Sequence, residues 1–123
     1  MRLSLAILMG LHGIAHMVGF AVPWRLAKPP DGVYKTTILG DRVDLGSVGI
    51  RVYGVLWLVL GIAFLFTAIA TATAHPRWVT LASQVCLLSL VPNLASWPSS
   101  RIGVGVNVVI LAWVHTGRWL GWF

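Results

Sequence analysis

The stretch Leu11-His12-Gly13-Ile14-Ala15-His16-Met17-Val18-Gly19-Phe20 sets two histidines, four residues apart, in the middle of an apolar run. That run, Leu3 to Val22, is 20 residues long and contains no Lys, Arg, Asp or Glu. As a helix it rises about 30 Å, the thickness of a bilayer's hydrocarbon core. A titratable ring inside such a span is costly, and it is retained where it pairs, lines a pathway or serves a site. At about 100° per residue, His16 lies about 40° around the helix from His12, so both rings share one face. Leu5, Leu8, Ala15 and Gly19 complete the stripe, and its small members let a neighbouring helix or a ligand come close.

The rest of the composition agrees with a membrane setting. Of 123 residues, 58% are hydrophobic and only 10% are charged, against about 25% charged in an ordinary soluble domain. Too little polar surface remains to cover a soluble fold, so the chain reads as one transmembrane domain spanning residues 1–123. Nine Lys and Arg against three acids give a net charge of +6. These cations sit at the ends of apolar runs, where they meet anionic lipid headgroups. There is no basic stripe with interleaved aromatics, so nucleic acid is not expected as a partner. A single cysteine, Cys86, excludes an internal disulfide, a CxxC redox pair and a multi-thiolate cluster. It also argues against the quinone-reducing, disulfide-forming four-helix enzymes, which need paired cysteines.

Read in order, the chain predicts four spans at about 3–22, 48–74, 78–97 and 102–119, with a long loop at 23–47. The first apolar run exceeds the usual signal-peptide core of about 7–15 residues and lacks a small-x-small cleavage site, so it reads as a retained helix. Pro23 ends it. Within the loop, Pro29-Pro30-Asp31-Gly32 is a turn signal, and Val33 to Leu39 reads as a short strand or an interfacial segment. Asp44 or Ser47 is placed to cap the second helix. His75-Pro76-Arg77 and Pro98-Ser99-Ser100-Arg101 are tight connections. The fold expected is therefore all-α, an integral-membrane up-down four-helix bundle with both termini on one side.

The tryptophans and the charges orient this layout. Trp24 and Trp97 fall on the side of the long loop, and Trp78, Trp119 and Trp122 on the side of the termini, as interfacial belts require; Trp57 and Trp113 lie deeper. The loop side carries Arg25, Lys28, Lys35, Arg42, Arg51 and Arg101, against Arg2, Arg77 and Arg118 on the other. The positive-inside rule then puts the loop in the cytoplasm and both termini outside.

Intramembrane polar groups converge on the loop side. His12 falls near mid-depth and His16 nearer the loop; Asn93 and Asn107 lie a turn or so inside the loop ends of the third and fourth helices. Pro92 breaks the backbone ladder against Leu88, predicts a kink in the third helix, and leaves Asn93 available to a partner. Arg51, Arg101, Asp41 and Asp44 are placed to sit above the mouth. All three carboxylates, Asp31, Asp41 and Asp44, lie in the loop.

Each group also has a purely structural role open to it. Asn93 and Asn107 can bond across helices three and four, a histidine can donate to a carbonyl one turn back, and Arg51 and Arg101 can simply snorkel. His75 and His115 read as interfacial, and Gln84 and Cys86 as packing residues. For the histidine pair, i,i+4 spacing can offer two imidazoles to a metal, but zinc or iron needs further ligands and the only acids are in the loop. Haem would need a second axial ligand, and His115 lies toward the wrong side. The remaining reading is a pocket for a small hydrophobic molecule, lipid- or quinone-like. There His12 and His16 are the candidate proton-transfer residues, with Asn93, Asn107, Arg51, Asp44 and Asp41 as ligand contacts. No particular cofactor is specified. The alternative is a non-catalytic accessory subunit of a membrane complex, possibly a redox one, packing through the Gly10/Gly13/Gly19 surface or forming a homo-oligomer.

The length, the four spans, the Leu11–His16 opening, the Trp97-Pro98 turn and the Gly103–Asn107 stretch resemble small uncharacterised bacterial membrane proteins, loosely similar to DoxX-like proteins. The resemblance implies a four-helix bundle in a bacterial inner membrane. It also implies a partner role, since some DoxX-like proteins accompany quinone-linked redox enzymes. No site residue transfers with it. Small multidrug transporters share the length and span number but use a membrane-embedded Glu in helix one, where this chain has His12 and His16 and no acid in any span.

Overall fold

The computed structural model describes all residues, Met1–Phe123. It is helical apart from one short ladder. In chain order come α1 (Arg2–Ala21), β1 (Thr37–Ile38), β2 (Val43–Asp44), α2 (Gly46–Ala72), α3 (Trp78–Ala95) and α4 (Arg101–Trp119). Three of the four helices, α1, α2 and α3, are long and apolar enough to cross a membrane. The fourth span expected from the sequence, α4, is not among them; it carries Arg101, Asn107, His115 and Arg118 in its 19 residues.

The outward faces explain the composition. On α1, Leu3, Ile7, Leu11, Ile14 and Val18 are exposed, while Leu5, Met9, His12 and His16 are buried. On α2, Val48, Val52, Val55, Val59, Ile62, Phe66 and Ile69 form an exposed stripe at alternating steps of four and three. These helices turn apolar side chains outward and keep polar ones inside, the reverse of a soluble bundle. Such a surface is satisfied by lipid.

Helix ends follow local chemistry. Val22 is the C-cap of α1 rather than its last residue. α2 starts at Gly46, two residues earlier than the sequence suggests. Asp44 Oδ1 accepts from the Gly46 N–H at 2.9 Å, and Gly46 takes φ 68°, a conformation glycine adopts without penalty. Neither Asp44 nor Ser47 is the N-cap; Leu45 is, without a side-chain cap bond. α3 stops at Ala95, two residues before Trp97, where the Leu39 N–H reaches in to bond the Ala95 carbonyl at 2.7 Å. A helix C-terminus leaves carbonyls free, and the connecting segment takes one up.

That segment forms a small antiparallel ladder, Thr37 opposite Asp44 and Ile38 opposite Val43. Gly40 and Asp41 both hold positive φ (63° and 65°) at its turn, as a type I′ hairpin requires. The strand expected within Val33–Leu39 is present in part, and its partner β2 was not anticipated. Tyr34 O–H bonds the Pro23 carbonyl at 3.2 Å, and Trp24 Nε1–H donates to the Arg51 carbonyl at 3.0 Å, so the segment is tied to the helix ends at several points.

α1 and α2 make the most intimate pair and run antiparallel. Gly10 faces Ala68, Gly13 lies against Gly61 and Phe64, and Gly19 lies beneath the Trp57 indole. A β-carbon on Gly13 would stand 2.9 Å from the Gly61 carbonyl oxygen, so this crossing needs glycine. α2 packs on α3 and α3 on α4, whereas α1 and α4 touch only briefly. The dry core, including Leu5, Met9, Phe64, Ala82, Cys86 and Ile110, fills the half nearest the termini. Trp78 belongs to that core: it is 8% exposed and packs edge-on against Phe123 at 4.9 Å. The other half, nearest the 22–45 segment, holds His16, Ser89, Asn93 and Asn107, while Thr67 and Thr71, buried toward the termini, donate to carbonyls of their own helix.

Candidate functional site

The brief contact between α1 and α4 leaves a cavity of about 560 Å³ in that half. α1 contributes from Leu8 to Val22, α4 contributes Ile102, Gly103 and Val106, and Tyr53 and Trp57 of α2 add aromatic surface. Lys35, Thr37 and Ile38 line its outer end, so the β-ribbon lies at the mouth. His12 lies toward the deep end. The cavity is also open sideways: Leu11, Val18 and Ile102 line it and are 61%, 51% and 76% exposed. A molecule inside would meet the flanks of α1 and α4 and, between them, the exterior of the protein.

Behind this cavity, three helices meet at one hydroxyl. Asn93 Nδ2 donates to Ser89 Oγ at 3.0 Å and to the Ser89 carbonyl at 2.8 Å. Asn107 Nδ2 donates to Ser89 Oγ at 3.0 Å and to the Gly103 carbonyl at 3.0 Å. Carbonyls can only accept, so both amide orientations are fixed. The two amides fill the acceptor capacity of Ser89 Oγ, and its proton must go elsewhere. It goes to His16 Nε2, 2.8 Å away. The other nitrogen, His16 Nδ1, faces the His12 carbonyl at 2.9 Å and therefore carries the hydrogen. His16 is thus held as the neutral Nδ1–H tautomer. A second proton on Nε2 would confront an oxygen with no lone pair left.

Asn93 and Asn107 do not bond each other across the helices; both converge on Ser89. Asn93 is 1% exposed and borders the cavity, with its Oδ1 over Gly103, where a β-carbon would overlap it. Asn107 is fully buried and lies behind the wall.

His12 differs from His16. Its ring is 6% exposed, stands edge-on to His16 (centroids 4.6 Å apart) and to Phe64 (4.8 Å), and makes no hydrogen bond. Asn107 is the polar side chain beside it. Within ordinary hydrogen-bond limits, His12 Nε2 and Asn107 Oδ1 are both sealed in without a partner. Sealed, unpartnered polar atoms are rare, and each asks for an explanation.

The remaining candidates lie elsewhere. Arg51 is exposed, its guanidinium 5.8 Å from the Trp24 ring centroid, and is not part of the cavity lining. Asp41 accepts from the Thr37 hydroxyl at 2.5 Å and pairs with Lys35 at 3.4 Å; these bonds, Thr37 first, hold its carboxyl below the usual range. Asp44 bonds the Thr36 hydroxyl at 2.7 Å and the Gly46 N–H, which lower its carboxyl likewise. Both acids therefore organise the ribbon, and neither borders the cavity. His115 faces Ser83 at 3.2 Å, far from the pair, and Gln84 is exposed. Nowhere do three or more His, Cys, Asp or Glu side chains gather in a metal-binding arrangement. With both His16 nitrogens engaged, the histidine pair cannot offer two imidazoles to one ion as it stands.

Sequence reasoning missed Ser89, Tyr53 and Trp57. Ser89 had a signal, since it lies one helical turn before Asn93 on the same face. Tyr53 has none: its O–H donates to the Pro92 carbonyl at 2.8 Å and its oxygen accepts from Ser96 Oγ at 2.7 Å, contacts set only by how α2 crosses α3.

No protein-family model matches this chain, and no curated protein or solved structure matches it either. The likeness to DoxX-like proteins accordingly assigns no family.

Proposed function

We propose that this is a polytopic protein of a bacterial inner membrane whose four helices cross as an up-down bundle, α4 included, and whose α1–α4 cavity binds a small hydrophobic molecule drawn from the bilayer. The carrying observation is His12, a buried ring without a hydrogen bond at the deep end of a mostly apolar cavity. Cavities of about 300–1,000 Å³ with few polar groups are the usual form of small-molecule sites. The sideways opening supports entry from the hydrocarbon layer. His12 is the group for polar contact or proton transfer; His16, saturated by Ser89 and the His12 carbonyl, holds it in place. The short α3–α4 connection and the 19-residue length of α4, a rise of about 28 Å, support a fourth crossing. The excess of Lys and Arg near residues 23–51 supports a cytoplasmic ribbon and termini outside.

An accessory-subunit reading has less to support it. The Gly10/Gly13/Gly19 surface, which would serve as a docking face, is occupied by α2.

Purification in mild detergent followed by native mass spectrometry, an absorption spectrum and metal analysis tests the proposal. The expected result is a retained apolar molecule of a few hundred daltons, lost in His12→Ala with the fold intact. A Soret band, a stoichiometric metal or a clean apo protein would each overturn it.

A further inference from the structure

Which chemical group the cavity accepts depends on which nitrogen of His12 faces it. The two are not equivalent. Nε2 is sealed beside Asn107, whose amide nitrogen is already committed to Ser89 Oγ and the Gly103 carbonyl. Asn107 therefore presents only an oxygen to His12. A bare Nε2 would set lone pair against lone pair, so Nε2 carries the proton and points it at Asn107 Oδ1. The two sealed, unpartnered atoms are then a donor and an acceptor, and a small approach satisfies both.

The consequence falls on the other side of the ring. With the proton on Nε2, neutral His12 has a bare Nδ1. This nitrogen makes no hydrogen bond, not even the one-turn-back bond that His16 makes, and it is not among the sealed atoms. Since His12 lines the cavity, Nδ1 is the nitrogen left accessible there. The deep end thus offers a lone pair in mostly apolar surroundings. Asn93, the amide that lines the cavity, has its Nδ2 used up on Ser89.

We propose that the deep end of the α1–α4 cavity selects a hydrophobic molecule bearing a hydroxyl group, which donates to His12 Nδ1, over the matching carbonyl or ether. The proposal rests on the cavity being a ligand site. A ketone or quinone oxygen would face a lone pair and stay unpaired. A carboxylate would add a buried charge opposite an acceptor, and an ammonium would carry its charge into an apolar wall. A neutral alcohol, phenol or quinol meets the demand. The selectivity is of the kind shown by sites that reject an analogue lacking one hydrogen-bonding group.

The test uses the wild-type protein in lipid nanodiscs with three photoreactive probes of one carbon skeleton: a long-chain secondary alcohol, its ketone and its methyl ether. Labelled residues are mapped, and half-saturation is read from competition with the unreactive forms. The expected result is saturable labelling of the α1 and α4 cavity walls, with the alcohol binding about tenfold or more tighter than either analogue. Equal binding of all three, or tighter ketone binding, overturns the hydroxyl proposal and leaves the cavity's role standing. No saturable labelling of the walls overturns both. Nitrogen-15 chemical shifts of the histidines give an independent readout: His12 is expected protonated at Nε2 and bare at Nδ1, opposite to His16. The same tautomer on both rings overturns the selection argument whatever the probes do.

Discussion

Ser89 is the residue on which the polar half of the molecule depends. Its hydroxyl accepts from two asparagines and donates to His16, so Ser89→Ala strips partners from three buried side chains at once. Leaving a buried donor or acceptor unpaired costs about 1–3 kcal/mol, and Ser89→Ala is expected to lose at least that much in reversible unfolding in detergent. The two histidines should separate in the same assay. His16→Leu breaks two hydrogen bonds and leaves the Ser89 proton without an acceptor, whereas His12→Leu removes only the N–H that faces Asn107 Oδ1, a contact outside ordinary hydrogen-bond limits. The expected loss is about 2 kcal/mol or more for His16→Leu and below about 1 kcal/mol for His12→Leu. Equal losses would mean that the assignment of a holding role to one ring and a free role to the other is wrong. The sequence places both rings on one face, but it cannot tell them apart. The difference arises from a serine 73 residues away whose position relative to α1 no local pattern encodes.

At the scale of elements, α1 and α2 are held by close approach, and the ribbon by its acids. Gly13→Ala sets a methyl against the Gly61 carbonyl, and backbone does not yield as a flexible side chain does. A loss of about 1–3 kcal/mol is expected, with Gly105→Ala, which meets open space, as the neutral control. The ribbon should respond to acid. Asp41 and Asp44 titrate below the usual carboxylate range when folded, so their contribution is present above that range and is lost as pH falls through the lowered values. Hydrogen exchange at the Gly46 and Arg42 amides is expected to speed up toward pH 3, with the α1 and α2 amides unchanged; exchange independent of pH after correction for intrinsic rates would contradict this. The helices themselves were legible from unbroken apolar runs, each end falling within two residues or so of expectation. The strand β2 was not, because a two-residue strand has no periodicity to detect, and α3 stops where a distant amide claims its last carbonyl.

For the whole molecule, the division of labour between its halves carries the account. The termini half is filled by interlocking apolar side chains, while the ribbon half holds a hydrogen-bonded hub and a space that α1 and α4 leave open. Composition alone pointed to helices apolar enough to cross a membrane, and three are present; the position of each polar residue along its helix placed His16, Asn93 and Asn107 toward the loop, and all three bond Ser89. A pocket on the loop side was expected, but not the helices that bound it, since the cavity lies between two helices adjacent in space but at opposite ends of the chain. Filling it should leave the fold alone and remove the function. Val106 lines the cavity from α4, and Val106→Trp adds a large ring at that wall. Native mass spectrometry of this variant beside wild type is the most direct measurement. A bound apolar molecule is expected on the wild-type protein and none on Val106→Trp, with a cooperative unfolding transition and the same subunit number in both. The same occupancy in both proteins, or in neither, would contradict it.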